Sequence, residues 1–376
     1  MDMRDTKLYC DEEQLRPGER WWNMDSPPFV SVVIPMYNES TCIRECLDSL
    51  ISQDYPVDRL EVLVVDGQSD DGSRNLVLEL AREYGLIRLL DNPKRITAAA
   101  MNIGVQNARG DVITILSAHS YVAGDFISQN VAYLSKTGVA CVGGPIHSIS
   151  RSFLGNAISL AMSSPFGVGN ALFRYSQKEQ YVDTVAFGAY RRQVFDEIGL
   201  FDEFLVYNED DEFNYRLRKH GGKIFLTPAI KSFYHTKMSL RQLSKQYFRY
   251  ALGKVRVIQR HPEVASIRPF VPFTLVSVLL ISGPLGMLSP VFLWAFLSLL
   301  ASYLTVSLLF SLRISARNGW KYLSVLPVVF ACLHFSYGLG FLIGLLRLGV
   351  RPNHQNGAAY CQILTEASGS LYRGKN

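Results

Sequence analysis

Several absences bound this chain before any motif is read. Its six cysteines, Cys10, Cys42, Cys46, Cys141, Cys332 and Cys361, form no CxxC pair and no metal-ligand spacing, which excludes a cysteine zinc site and predicts reduced thiols. Charged residues make up only 19% of the chain, and a net charge of +5 over 376 residues is too small to point to nucleic acid as a partner. The first residues, MDMRDTKLYCDEEQLRPGERWW, lack the apolar core of a signal peptide, so the globular part is expected to stay in the cytosol. From Phe270 to Leu312 there is no charged residue at all.

The chain therefore divides by composition. A polar leader is expected over 1–28, an α/β domain over 29–238, a basic amphipathic helix over 239–262, a transmembrane region over 263–350 and a polar tail over 351–376. In the α/β part, FVSVVIP (Phe29–Pro35) reads as a first strand. A helix over 40–53 follows, then LEVLVVD (Leu60–Asp66), a strand apolar enough to be covered by helices on both faces. A helix over 73–84, a strand in LIRLLDNP, an Ala-rich helix over 97–108 and a strand over 111–119 complete four βα alternations. That pattern predicts right-handed βαβ units in a mainly parallel sheet. Val139–Ile146 reads as one more strand, Phe153–Met162 as a short helix, 163–179 as a loop near a substrate, and Glu209–His220 as a helix ended by Gly221 and Gly222.

Arg241, Lys245, Arg249, Lys254, Arg256 and Arg260 alternate with Leu243, Tyr247, Phe248, Leu252 and Val255. A basic amphipathic helix just before apolar spans is expected to lie on an anionic leaflet. Spans are expected over 270–288 and 290–312, each near the roughly 20 residues that cross a bilayer. The segment 323–346 is read as a third span, with a re-entrant hairpin around Tyr337–Gly340 as the other possibility. The cluster Arg313, Arg317 and Lys321 predicts a return to the cytosol, and hence a multi-pass cell-membrane protein with a cytosolic domain.

Two polar loops at strand ends point to a nucleotide. In Pro35-Met36-Tyr37-Asn38-Glu39 an aromatic ring can stack on a base and a carboxylate can take ribose hydroxyls. Asp66, ending the next strand, can accept a hydrogen bond from a base N–H, while Asp70, Asp71 and Ser73 read as turn and helix cap. The bland alternative for each loop is an ordinary turn. Two such loops on neighbouring strand ends favour a crevice.

The ordered set VSVVIPMYNES, VVDGQSDDGS, Asn102-x-Gly104 and Arg109-Gly110-Asp111-Val112-Ile113 resembles family 2 glycosyltransferases, over residues 30 to about 235. The tail and the wording around Ser117–Ser120 are most similar to membrane-attached exopolysaccharide enzymes of the succinoglycan glucosyltransferase type. The resemblance implies a GT-A fold, an inverting mechanism and a UDP-sugar donor. It implies Tyr37 against uracil, Glu39 near ribose and Asp66 on the base, with Pro35, Arg95 and Ser117 also in the nucleotide site.

Ser117-Ala118-His119 stands where the family has DxD, the aspartate pair that holds a divalent metal on the donor phosphates. By that alignment His119, with His235 as second candidate, becomes the metal ligand, and imidazole suits Mn²⁺ better than Mg²⁺. Each histidine could equally be structural, and Arg95 or Arg249 could offset part of the diphosphate charge. Asn208-Glu209-Asp210-Asp211-Glu212 resembles the family's ED motif. Alignment makes Asp210 the general base, with Glu209 and Asp211 beside it, and mutual repulsion among the carboxylates raises at least one pKa. Gln246, Arg249 and Tyr250 resemble a QxxRW element, which lies by acceptor and diphosphate in relatives.

The expected function is transfer of a sugar to a polyisoprenoid-linked or polysaccharide acceptor at a membrane, in surface glycan synthesis, with other enzymes of the pathway as possible partners. A polyprenyl-phosphate glycosyl synthase, a processive polymerase and a catalytically silent sugar-nucleotide-binding scaffold are the alternatives.

Overall fold

The computed structural model describes residues 27–236, 239–262 and 268–348. Most of the expected leader (1–26), the expected tail (351–376), and Cys10 and Cys361 lie outside the described residues. The strands are β1 (Val30–Met36), β2 (Leu60–Asp66), β3 (Ile87–Asp91), β4 (Val112–Ile115), β5 (Ser120–Val122), β6 (Cys141–Gly144), β7 (Ile146–Ile149), β8 (Gln180–Val182), β9 (Ala186–Arg191), β10 (Ile224–Leu226) and β11 (Ser232–His235). The α-helices are α1 (Ile43–Ile51), α2 (Ser73–Glu83), α3 (Thr97–Asn107), α4 (Phe126–Thr137), α5 (Phe153–Met162), α6 (Pro165–Val168), α7 (Arg192–Ile198), α8 (Glu209–Lys219), α9 (Leu240–Arg260), α10 (Phe270–Gly286), α11 (Pro290–Asn318) and α12 (Leu326–Leu348).

The main sheet runs β3-β2-β1-β4-β9-β6-β10-β8, and a small sheet runs β5-β11-β7. Strands β3, β2, β1 and β4 are parallel, as their βα alternation requires. The unbroken apolar run of β2 has a simple cause. Val62 and Val64 join the core formed with α1 and α2, while Leu63 and Val65 join the core formed with α3. Register aligns Met36 with Asp66 and Asp66 with Asp91, so three strand ends open at one level. Pro35 sits beyond the last residue that pairs with β4, where its missing N–H leaves no gap on that side of the ladder.

Several expectations need correction. The fourth strand stops at Ile115, because Leu116 N makes the last bond to Val33 O and the chain then turns, Ser120 N donating to Ser117 O. Ser117-Ala118-His119 thus occupies a turn and not a strand end. The segment 139–146 is two strands in different sheets, broken at Pro145. The supposed loop 163–179 contains α6 and a single 3₁₀ turn at Leu172–Arg174. Helices α4 and α7 and strands β8 to β11 were not anticipated, and β9 is antiparallel to both β4 and β6. The cap of α2 is Gly72, with φ +94°, so neither Asp70 nor Asp71 occupies the cap position, although Asp71 Oδ1 accepts from Ser73 N at 3.0 Å.

At the carboxyl-terminal end, α11 and α12 are long and apolar enough to cross a membrane, whereas α10 has 17 residues, roughly 25 Å at helical rise. Only 11% of the apolar stretch of α11 is buried in the protein, against 39% for α12. Helix α12 packs along α9, Cys332 Sγ donating to Leu240 O and Ser336 Oγ to Ser244 Oγ. Farther on, a Cβ at Gly340 would stand 2.4 Å from Phe248 O, so the backbones touch there. A constant offset along both helices means they run parallel. The apolar side of α9 is therefore covered by α12 and not left for a leaflet, which corrects the expectation of a purely interfacial helix. Helix α12 is also continuous through Tyr337–Gly340, so no hairpin breaks it there.

Candidate active site

The loops after β1 and β2 are bonded into one unit. Asn38 and Asp70 bond reciprocally, Nδ2 to Oδ1 at 2.9 Å and Asp70 N to Asn38 Oδ1 at 3.0 Å. Asn38 N donates to Ser69 Oγ, Glu39 N to Ser73 Oγ, and Ser40 N to Asp71 Oδ2. Partial burial raises the Asp71 pKa, but hydrogen bonds from Ser73 and Ser40 outweigh it and hold the carboxyl at about 2. Asn38, Gln68 and Arg95 all have positive φ, a backbone cost concentrated at this strand-end crevice.

On that frame Tyr37 is 40% exposed, with the Arg95 guanidinium 5.9 Å from its ring and Arg95 Nε bonded to Gln68 Oε1 at 3.1 Å. The exposed ring is free to stack. Asp66 is different, being fully buried. Its carboxylate accepts from Ser69 N and Oγ and from Arg74 Nη1 at 2.9 Å, and Arg74 also bonds Asp91 at 2.7 Å. In this geometry Asp66 holds the 67–70 turn, and contact with a base requires that turn to part.

The turn after β4 faces the β1–α1 connection. His119 Nδ1 lies 3.1 Å from Glu39 Oε1, and Ser117 Oγ is 3.2–3.3 Å from the imidazole nitrogens. His235 N donates to His119 O at 3.3 Å, and His235 Nε2 lies 2.8 Å from Glu45 Oε2. Each candidate histidine therefore faces a carboxylate from the other side of the crevice. Glu45 was not anticipated, since nothing in sequence links positions 190 residues apart. Among the described residues no three His, Cys, Asp or Glu side chains converge. His119 and Glu39 give one nitrogen and one oxygen donor, a set that fits a divalent ion whose remaining ligands come from a diphosphate.

The acidic run at the start of α8 is partitioned by its partners. Buried Glu212 pairs with Arg216 (2.8 Å) and His261 (3.0 Å), a structural role. Asp211 Oδ2 is 2.6 Å from Lys254 Nζ of α9. Asp210 and Glu209 have no ion-pair partner among the described residues. Water reaches the Asp210 side chain, yet the packing around this turn withdraws part of its solvation. Together with the Asp211 charge, this holds its carboxyl above the ordinary range against backbone N–H bonds and Lys254. Burial and the Asp210 charge raise Glu209 likewise. A raised carboxylate is a stronger base.

Helix α9 carries the remaining candidates. Gly253 allows it to approach closely, since a Cβ there would stand 2.8 Å from Tyr207 O, in the turn that leads into the acids. Arg249 lies 5.8 Å from the Tyr207 ring, and Gln246 Nε2 donates to Tyr250 Oη at 2.8 Å. Gln246 thus steadies Tyr250, and Lys254 is the α9 residue that sequence reasoning missed.

Other motif residues turn out to be framework. Arg109 N and Nε donate to buried Glu61 at 2.7 and 3.0 Å, and Asn102 exchanges bonds with the backbone of Phe201.

The profile of glycosyl transferase family 2 matches residues 31–199, the β1-to-α7 stretch that carries the strand-end crevice. Residues 31–199 are a glycosyl transferase family 2 domain. The chain is 29% identical over 328 residues to the dolichyl N-acetyl-α-D-glucosaminyl phosphate 3-β-D-2,3-diacetamido-2,3-dideoxy-β-D-glucuronosyltransferase of Methanococcus voltae, covering 85% of this chain and 98% of that protein. It is 29% identical over 249 residues to succinoglycan biosynthesis protein ExoA of Rhizobium meliloti, 66% of this chain and 75% of that one. Among solved structures it resembles mannosyltransferase PcManGT from Pyrobaculum calidifontis in complex with GDP-Man and Mn²⁺, with a TM-score of 0.53 at 21% identity, covering 84% of this chain and 88% of that one. That likeness shows the fold, a GT-A-like α/β sheet.

Proposed function

We propose that this glycosyltransferase moves a sugar, with inversion, from a UDP-sugar to a sugar carried on a lipid phosphate, at the cytosolic face of a cell membrane. The observation that carries the reading is where the acidic turn is built. Asp211 is bonded to α9, and α9 is packed along α12, so the acidic turn is linked through α9 to one of the two helices, among the described residues, long and apolar enough to cross a membrane. The similarity to the Methanococcus protein, whose name specifies a dolichyl phosphate-linked acceptor, supports the same reading.

In this mechanism Tyr37 covers the uracil, Arg95 and Gln68 flank it, Pro35 ends the strand beneath it, and Asp66 keeps the pocket wall in place. Glu39 and His119, oriented by Ser117, face the diphosphate, with His235 and Glu45 behind them. A bound divalent ion would offset the charge that develops on the departing diphosphate. His119 and Glu39 would hold it, a donor pair that suits Mn²⁺ better than Mg²⁺. Asp210 takes the proton of the acceptor hydroxyl as its oxygen attacks the anomeric carbon from the face opposite the leaving group. Partial desolvation and the Asp211 charge keep Asp210 basic, Glu209 stands beside it, and Arg249 and Tyr250 border the acceptor side. The α10–α11 hairpin inserts in the bilayer, where the exposed Met287, Leu288 and Val291 meet lipid.

The test is a donor panel in native membranes, with lipid extract as acceptor and products identified by mass. A UDP-sugar is expected to label a phosphate-linked lipid fraction, and chelator-stripped enzyme should recover with Mn²⁺ more fully than with Mg²⁺. Labelling from a GDP-sugar alone would overturn the donor assignment, and labelling confined to lipid-free polymer would overturn the acceptor.

A further inference from the structure

A cavity of about 220 Å³ opens between β7 and the 163–177 segment, lined in part by His147, Ser148, Ser163, Arg174, Tyr175 and Gln177. No acidic residue lines it. Arg174 is half-buried, its guanidinium lies 5.4 Å from the Phe173 ring, and its Nη1 is buried with no hydrogen-bond partner among the described residues. A buried guanidinium nitrogen without an acceptor is costly, and folded proteins leave few such groups unmatched. An anion entering the cavity would supply the missing acceptor.

The cavity adjoins the His119 side of the site. The His119 ring is 5.1 Å from Tyr234, and Tyr234 of β11 pairs with Ser148 of β7, which lines the cavity. Ser163 also lines a second groove of about 270 Å³ between α5, α6 and α11, whose surface is mainly apolar and whose lining includes Arg313 and Arg317 and again no acid. Beyond the groove α11 exposes Val306, Leu308 and Leu309. A cationic polar cavity that shares Ser163 with a cationic groove of mainly apolar surface, beside a long exposed apolar helix, matches one chemical shape: a phosphate attached to a long hydrocarbon chain.

We infer that the Arg174 cavity binds the phosphate of the lipid-linked acceptor, with the start of its hydrocarbon chain in the groove beside α11. Arginine suits the task because its planar fork gives paired bonds to phosphate oxygens. Ser148 and Gln177 offer further donors, and Arg313 and Arg317 draw the anionic head group toward Ser163. The inference rests on the lipid-phosphate reading proposed above and adds where the phosphate sits.

The test is binding to the full chain in neutral detergent micelles, with phytyl phosphate, phytol and inorganic phosphate as separate probes and UDP affinity as the check on folding. Phytyl phosphate should bind, and Arg174→Met should weaken it by about tenfold to a hundredfold, the loss expected for a charge-assisted hydrogen bond to a buried group. Arg174→Lys, which keeps the charge, should lose less. Binding of phytol should be the same in all three proteins. Unchanged phytyl phosphate binding in Arg174→Met with UDP affinity intact would overturn the inference. So would inorganic phosphate binding as tightly as phytyl phosphate and responding equally, since the site would then take free phosphate. Should phytyl phosphate binding depend on Arg174 while no phosphate-linked lipid is ever glycosylated, the phosphate site stands and the proposed reaction falls.

Discussion

The proposed donor and acceptor halves of this site are built differently. The donor half belongs to the parallel sheet: three strands end at one level, and their loops are tied by bonds such as Asn38 to Asp70 and Asp66 to Arg74. Each bond joins segments within the first hundred residues. The acceptor half has no such autonomy. Asp211 is bonded to α9 through Lys254, Gly253 admits α9 against the turn before the acids, and α12 lies along α9 from the other side. The lesson is that nucleotide binding should tolerate damage to the apolar helices, whereas transfer should not.

The largest effect should come from Asp210→Asn. Transfer is expected to fall by about a hundredfold or more, the scale of general base catalysis, with UDP affinity unchanged by calorimetry. Preserved turnover would remove the base from the acceptor half. Next, Gly340→Leu forces α12 away from Phe248 and disturbs α9 at a distance from either substrate. An overpacked contact of this kind costs about 1–3 kcal/mol, and kcat should drop about tenfold while the donor KM holds. If donor KM rose in step, the two halves would not be separable. Tyr37→Ala is the reciprocal case. Loss of ring stacking should raise the donor KM by about five- to tenfold with kcat nearly constant, as read from steady-state rates at saturating acceptor.

Lys254→Met should have the smallest effect, and it is a matter of pH. The proposed base, Asp210, works deprotonated, so activity should be full above its raised pKa and lost as pH falls through it. Lys254 lowers that pKa, and its removal should move the acidic limb of the kcat profile upward while the alkaline plateau changes little. A limb that stays in place would mean that Lys254 does not act on Asp210.

Much of the donor half was legible in sequence, because it depends on local order. The β-branched run of β2, the turn residues after it and the Ala-rich helix that packs on Val33 all read correctly from a few adjacent residues. Asp66 shows the limit. Its position at a strand end followed from the pattern, but its burial under Ser69 and Arg74 did not. The middle of the chain resisted because β8 to β11 are three to six residues long and gain stability only from partners far away in sequence. Pro145 marked the break in 139–146, yet only sheet pairing reveals that its two sides join different sheets.

The apolar helices make the same point. By composition 290–312 and 323–346 look alike, and both were read as spans. Structure separates them: α11 stays mostly uncovered, while α12 is seated on α5, α6 and α9 through Leu326, Val329, Phe330 and Leu333. An apolar surface is equally satisfied by lipid or by protein, so hydropathy does not choose between them.

The sequence by itself determined the class of this protein: an α/β glycosyltransferase domain with polar loops at neighbouring strand ends, followed by apolar helices, because hydrophobic periodicity and ordered motifs act over short stretches. Tertiary structure alone decided which acids are left without an ion pair, which carboxylate faces each histidine, and that α12 packs along the helix that holds the acidic turn. Those are contacts between residues tens to hundreds of positions apart, and only the packing of the folded chain brings them together.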